Sequence, residues 1–115
     1  MSFLSYGGTV ATREDAIKVT GTAYAVALKD RFVAVTSGTN VAITLPELNA
    51  TGADNHQGML VSIATWGSAT VVVGTPGSDT IGGSATKTLA AYSAITVMPV
   101  QTSGWAIVGT SGTVT

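Results

Sequence analysis

Apolar and polar side chains alternate with a period of two along much of this chain. Val41, Ile43 and Leu45 alternate with Ala42 and Thr44. Successive side chains of a β-strand point to opposite faces, so this pattern predicts a half-buried strand, which Pro46 ends by removing a backbone donor. Further apolar, β-prone runs lie at 23–28, 32–36, 59–63, 70–73, 80–81, 88–89, 95–97 and 105–107.

Turn-forming residues separate these runs at intervals of roughly 8–12 residues, which is typical of all-β domains. The turns are predicted at Ser37-Gly38-Thr39-Asn40, Pro76-Gly77-Ser78-Asp79, Gly82-Gly83 and Ser103-Gly104. Residues tolerant of positive φ are expected there. We therefore predict a single small β domain over residues 16–115, a sandwich, barrel or jelly roll of 8–10 short strands. No internal repeat is evident.

The first fifteen residues have a different character. Phe3, Leu4 and Tyr6 precede Gly7-Gly8, which can act as a flexible joint. We interpret residues 1–15 as an extended N-terminal arm that docks onto a neighbouring chain; the alternative is an ordinary edge strand or a frayed terminus. One short helical turn is predicted from Thr12 to Ile17, because Thr12 is a suitable N-cap.

Charge is scarce and unevenly distributed. Of the 115 residues 10% are charged, the net charge is −1, and after His56 only Asp79 and Lys87 carry charge. Surfaces depleted in charge favour protein–protein contact, although a Thr-rich β surface exposed to water is the alternative. The chain lacks a basic patch for nucleic acid, a run of about twenty apolar residues for a membrane helix, and the basic start of a signal peptide.

Candidate catalytic residues are few. His56 is the one imidazole and cysteine is absent. No G-x-S-x-G elbow accompanies it, and Asp54 with His56 supplies two metal ligands where three or four are usual. The segment 74–79 lacks the G-K-[ST] ending of a phosphate loop and is predicted to be a turn. We expect a protein that is not an enzyme and has no cofactor or metal site.

The two tryptophans have different predicted roles. Trp105 lies in the last predicted strand, so we place it in the core. Trp66 lies at a predicted strand-end turn, where an indole can serve at a protein interface or a sugar site, and we retain it as an interface candidate.

Several segments of the second half resemble a known module. They are Gly58-Met59-Leu60-Val61-Ser62-Ile63, Gly67-Ser68-Ala69-Thr70-Val71-Val72-Val73, Gly77-Ser78-Asp79-Thr80-Ile81-Gly82-Gly83, Ala94-Ile95-Thr96-Val97 and Ser103-Gly104-Trp105-Ala106-Ile107-Val108-Gly109. Together they resemble a β-module of tailed-bacteriophage virion proteins, which occurs in head-decoration (cement) proteins and in fibres or spikes. The likeness runs from about Val33 to Gly109; Thr102-Ser103 replaces the aspartate usual before the final Gly-Trp.

The resemblance implies a homotrimeric module, a β-sandwich or tulip-like barrel, with a structural role and no cofactor. A chain of this length with its own Met1 has room for one module and an arm, which favours a decoration protein. We therefore expect a cement protein, made in the host cytoplasm, that binds the major capsid protein outside the head and stabilises capsomer junctions; the alternative is a tail fibre, spike or host-surface adhesin. The candidate capsid contacts are Phe3, Leu4 and Tyr6, with Trp66, Glu47 and His56 as secondary interface candidates.

Overall fold

The computed structural model describes residues 16–27, 30–48, 60–101 and 104–115. In this part of the chain ten strands and no helix are present, and the strands form two packed sheets, which confirms the prediction of a small all-β sandwich. The strands are β1 (Ala16–Val19), β2 (Ala23–Ala25), β3 (Phe32–Val35), β4 (Val41–Thr44), β5 (Val61–Thr65), β6 (Val71–Gly74), β7 (Thr80–Ile81), β8 (Thr86–Leu89), β9 (Ala94–Gln101) and β10 (Gly104–Ser111).

The first six strands form three successive pairs that stack on one another, and we call each pair of strands a coil. In each coil the first strand enters one sheet and the second enters the other, so β1, β3 and β5 lie parallel in one sheet while β2, β4 and β6 lie parallel in the second. Ala16 is in register with Phe32, which is in register with Ser62. The equivalent positions are therefore separated by unequal lengths of sequence, which explains why no repeat of fixed period is visible.

The last four strands close one end of this stack. β8 pairs antiparallel with β6, and β9 pairs antiparallel with β5. β10 then forms a hairpin with β9, and the two-residue β7 pairs parallel with β10. The result is a six-stranded sheet in the order β1-β3-β5-β9-β10-β7 that packs on a four-stranded sheet in the order β2-β4-β6-β8.

The core lies between the two sheets and consists mainly of aliphatic residues in register across the strands. In the six-stranded sheet Val33, Ile63 and Ile95 occupy one row and are almost fully buried. In the other sheet Ile43 and Val73 occupy an equivalent row. The predicted alternation is confirmed, since Val41, Ile43, Leu45, Val61, Ile63, Ile95 and Val97 are buried whereas Ala42 and Thr44 are exposed.

Three further sequence predictions can be compared with the structure. Trp105 is 3% exposed and belongs to the core, as predicted. The predicted helical turn is wrong at its end, because Ala16 and Ile17 pair in register with β3 as part of β1. The rest of that turn and the whole predicted arm, residues 1–15, lie outside the described residues.

Candidate functional site on the outer face of the six-stranded sheet

The outer face of the six-stranded sheet carries mostly small side chains. We use the term outer face for the side turned away from the four-stranded sheet. Strand alternation and register place two neighbouring rows there. One row consists of Lys18, Ala34, Ala64, Ala94 and Ser111, and the next contains Phe32, Ser62, Thr96 and Gly109. In the second row the hydroxyl oxygens of Ser62 and Thr96 lie 2.9 Å apart and share a hydrogen bond.

Large apolar side chains are exposed at one end of this face. Phe32 is 57% exposed, Leu60 45% and Val100 43%. Leu60 and Met98 are the residues next to the last register pair of β5 with β9, Val61 with Val97. Val100 lies two residues beyond Met98, where the ladder between β9 and β10 is irregular. We call these four residues, Phe32, Leu60, Met98 and Val100, the apolar patch. Exposed apolar groups concentrated in one place are typical of a surface that contacts another molecule.

Two aromatic side chains lie at the opposite end of the same face. Trp66 is 74% exposed and Tyr92 is 63% exposed, and their ring centroids are 5.9 Å apart with the ring planes at 85°. Their position follows from the ladder between β5 and β9, because Ala64 pairs with Ala94 and the Thr65 amide donates to the Ser93 carbonyl at 2.8 Å. Trp66 and Tyr92 are the next pair, and we call them the aromatic corner.

The backbone holds the aromatic corner in a defined position. The Trp66 amide donates to the carbonyl oxygen of Val35 at 2.8 Å. Tyr92 has a φ of +57°, a left-handed conformation that is uncommon for a bulky residue and costs of order 1–3 kcal/mol. The buried Ser93 fixes the next position, since its hydroxyl oxygen accepts a hydrogen bond from the Thr113 amide at 2.9 Å. The surrounding structure therefore maintains a conformation that the local backbone does not favour.

A shallow depression lies on the same face between β9 and β10. Its volume is about 260 Å³, and it is lined by Ala94, Thr96, Gly109, Thr110 and Ser111. The ladder between these strands is irregular here, because Thr96 pairs with Gly109 while Val97 pairs with Ile107. Since β10 has an extra residue at this point, the strands bend locally, as is usual at a β-bulge.

The buried carboxylates of the described residues serve the connections between strands. Asp79 is 3% exposed and accepts a hydrogen bond from the Leu48 amide at 2.9 Å. Asp30 is 1% exposed and accepts hydrogen bonds from the Tyr24 hydroxyl and from the Ala27 amide. Each carboxylate thus stabilises a loop.

The structure places the predicted interface residues in different locations. Trp66 lies on the outer face, whereas Glu47 is exposed in the connection that follows β4, at the other end of the sandwich. The structure does not bring these two residues together. Phe3, Leu4, Tyr6 and His56 lie outside the described residues.

Sequence reasoning missed Tyr92 and the apolar patch. Tyr92 follows Ala90 and Ala91 in a segment without alternation, so no pattern assigned it to a face. Phe32 was recognised as part of a β-rich run, but both Phe32 and Val33 are apolar, and alternation therefore did not indicate which of them is exposed. The deficit of charge in the second half was the one available indication of a contact surface.

Neither a metal centre nor a membrane helix is found in the part of the chain that the structure describes. No three His, Cys, Asp or Glu side chains there are grouped as a metal site would require. No helix there has the length and apolar character needed to cross a membrane. No protein-family model, curated protein or solved structure matches this chain.

Proposed function

We propose that this protein is a structural protein of a tailed-bacteriophage virion, a decoration or cement protein that binds the outside of the head. The observation that supports this proposal best is the apolar patch on an almost uncharged sheet face. The segments that resemble the virion β-module supply the biological context. The partners in this proposal are the major capsid protein and further copies of the same chain, arranged as a homotrimer.

The sheet geometry adds physical support for a covered face. Parallel strands usually occur in sheets whose two faces are both covered. Here β1, β3 and β5 are parallel, and the outer face above them carries Ala34, Ala64 and Ser62, with Phe32 exposed. Short side chains permit close approach of another protein surface, and burial of Phe32 would contribute about 1.5–3 kcal/mol.

Contacts of this kind hold a shell together when several of them act at once. A standard interface buries about 800 Å² on each partner. A trimer seated over a junction of capsomers makes three such contacts, and the second and third form at high effective concentration once the first has formed. Individually weak apolar contacts can therefore stabilise a junction that would otherwise separate.

The proposal is tested by binding to phage heads that were assembled without this protein. We expect Phe32→Ser to weaken binding by roughly ten- to hundredfold per contact, because the free energy of burying the ring is lost. Binding is measured by co-sedimentation and by counting bound copies with cryo-electron microscopy.

The matched control is a pair of valine substitutions. Val100→Thr changes an exposed residue of the apolar patch, whereas Val72→Thr changes a residue that is 38% exposed on the outer face of the four-stranded sheet. Val100→Thr should reduce binding and Val72→Thr should not. Equal effects of the two substitutions, or a wild-type protein that occupies the tail and leaves heads bare, would count against a head-decoration role.

A tail fibre, spike or host-surface adhesin module is the second candidate function. The observation that favours it is the aromatic corner, because Trp66 and Tyr92 are far more exposed than large aromatic residues usually are in a stable monomer. Localisation of the chain in intact virions distinguishes the two functions.

A further inference from the structure

We propose that the aromatic corner and the depression beside it form a binding site for an uncharged pyranose sugar. The site consists of Trp66 and Tyr92 as the stacking surface and of Thr96 and Ser111 as the source of hydroxyl groups. This inference does not depend on the head-decoration role, since it uses the opposite end of the outer face from the apolar patch.

The first argument is the exposure and arrangement of the two rings. An aromatic face carries partial negative charge, and the C–H groups on one side of a pyranose ring carry partial positive charge. With 74% of Trp66 and 63% of Tyr92 exposed, ring surface is accessible on both residues. Because the ring planes stand at 85°, the pair presents two surfaces at nearly right angles, which suits a bulky ring better than a flat apolar chain.

The second argument is the position and chemistry of the depression. Ala94 lines it and lies two residues after Tyr92, a distance of about 7 Å along an extended chain. Two of its five lining residues, Thr96 and Ser111, place hydroxyl groups on the outer face, and each hydroxyl can both donate and accept a hydrogen bond. Its volume of about 260 Å³ is just below the range of about 300–1,000 Å³ found for drug-sized ligands, which favours one or two sugar rings.

The third argument is the absence of charge around the described site. In the row next to the aromatic corner, Lys18 is the one charged residue, and it lies on β1 with β3 and β5 between it and β9. A sugar carboxylate or phosphate would lose hydration without gaining an ion pair. The site therefore selects neutral sugars.

The backbone around the site is preorganised. The Trp66 amide bonds to Val35, and Ser93 anchors the turn that holds Tyr92 at a φ of +57°. Strained residues held in place by their surroundings cluster at binding sites. A site that is already ordered loses less conformational entropy when a ligand binds.

The test uses the two indole N–H signals of the full-length protein in ¹H–¹⁵N NMR spectra. Methyl β-glucopyranoside, methyl β-galactopyranoside and N-acetylglucosamine are each titrated to about 20 mM, since weak sites have millimolar dissociation constants. At least one of them should shift the Trp66 indole signal in a saturable manner. Trp105 is 3% exposed and serves as an internal control whose signal stays unchanged. N-acetylneuraminic acid, which is charged, should bind at least tenfold more weakly.

Variants identify the residues that are responsible. Trp66→Ala should weaken binding at least tenfold, as monitored through the Tyr92 and Thr110 signals, and Ser111→Ala should weaken it about threefold. Phe32→Ser, in the apolar patch, should leave it unchanged. The signal of Trp105 confirms that each variant is folded.

Two results would overturn the inference. One is the absence of a saturable shift with all three neutral sugars. The other is a lower molar mass of Trp66→Ala than of the wild type in light scattering, because the aromatic corner would then be covered by a second copy of the chain.

Discussion

At the level of single residues, one hydrogen bond stabilises the connection between β2 and β3. It joins Tyr24, in β2, to Asp30, which lies two residues before β3. The phenol donates to a carboxylate oxygen that also accepts from the Ala27 amide at 2.8 Å. This hydrogen bond, together with burial and the negative charge of Asp30, raises the pKa of Tyr24 to about 12 from an ordinary value of 10.0. Deprotonation would place two negative charges side by side in a partly buried location.

This raised pKa predicts how stability depends on pH. The unfolded chain releases the Tyr24 proton near pH 10, whereas the folded protein retains it until about pH 12. The stabilising contribution is therefore complete below pH 10 and is lost as the pH rises from 10 to 12. In urea unfolding, Tyr24→Phe should be less stable than the wild type by about 1 kcal/mol at pH 8, because solvent near the phenol weakens the contribution of the hydrogen bond, and this difference should shrink over that pH interval.

Tyr92→Phe is the matched control for this measurement. It removes a phenol that is 63% exposed and leaves the Tyr24–Asp30 hydrogen bond intact. Its stability should change with pH as that of the wild type does. A constant difference between Tyr24→Phe and the wild type from pH 8 to 12 would show that the hydrogen bond makes no pH-dependent contribution.

At the level of elements, the last residues of the sequence cover the outer edge of β8. The Ala90 amide donates to the Thr113 carbonyl at 3.0 Å, and the Thr115 amide donates to the Thr88 carbonyl at 2.9 Å. Val114 packs against the core between these two bonds. An uncovered edge strand is a template for aggregation, so this segment protects the four-stranded sheet.

Gly112 allows the chain to turn into that position, which gives a second prediction. It has a φ of +76°, and a Cβ atom there would lie 2.5 Å from Ser93 Oγ and 3.0 Å from Ser93 Cα. Gly112→Ala should lower the free energy of unfolding by about 2–5 kcal/mol, the sum of left-handed strain and overpacking. Urea unfolding measures the loss.

Gly77 offers the matched control for this substitution. Its φ is +63°, but no atom lies within 4 Å of the place where its Cβ would be. Gly77→Ala should therefore cost the strain alone, about 1–2 kcal/mol. Equal losses at the two positions would mean that contact with Ser93 is unimportant and that the segment after Gly112 can shift at little cost.

The strands and their buried faces could be predicted from the sequence, but their pairing could not. The alternation of apolar and polar residues identified Ile43, Ile63 and Ile95 as inward-facing. This was possible because alternation is a local pattern that can be read from adjacent residues in the chain. Parallel pairing joins residues through connections of unequal length, such as Ala16 with Phe32 and Phe32 with Ser62. No local pattern encodes such a pairing.

The candidate site was predictable to an even smaller extent. Trp66 was identified as an interface candidate because it lies at a predicted strand-end turn. Its partner Tyr92 is 26 residues away and becomes its neighbour through the β5–β9 register. The apolar patch likewise combines residues from β3, β5 and β9, and its existence depends on sheet order that the sequence does not display.

At the scale of the whole molecule, the stack of coils is closed at one end and open at the other. β8, β9 and β10 close the last coil, whereas β1 and β2 are the outermost strands of their sheets. Among the described residues no strand pairs with the outer edges of these two. β1 is also the first described strand, and the predicted N-terminal arm, residues 1–15, precedes it in the sequence.

The energetics of that arm favour attachment by several copies at once. Burying Phe3, Leu4 and Tyr6 would contribute about 1.5–3 kcal/mol each. Ordering about eight residues costs about 1–2 kcal/mol each, so the balance for a single arm is close to zero. Firm attachment therefore requires added backbone pairing with the partner and simultaneous binding by all copies of an oligomer.

The last prediction is that removal of residues 2–8 separates attachment from folding. The truncated protein should keep the unfolding midpoint and the oligomeric mass of the full chain, because the described core begins at β1 with Ile17 and Val19. It should bind phage heads at least tenfold more weakly in co-sedimentation, since the apolar side chains of the arm are gone. Unchanged head binding would assign attachment to the apolar patch alone, with the connection that contains Glu47 as the next segment to test. A large fall in the unfolding midpoint would mean instead that these residues contribute to the fold and do not form an arm.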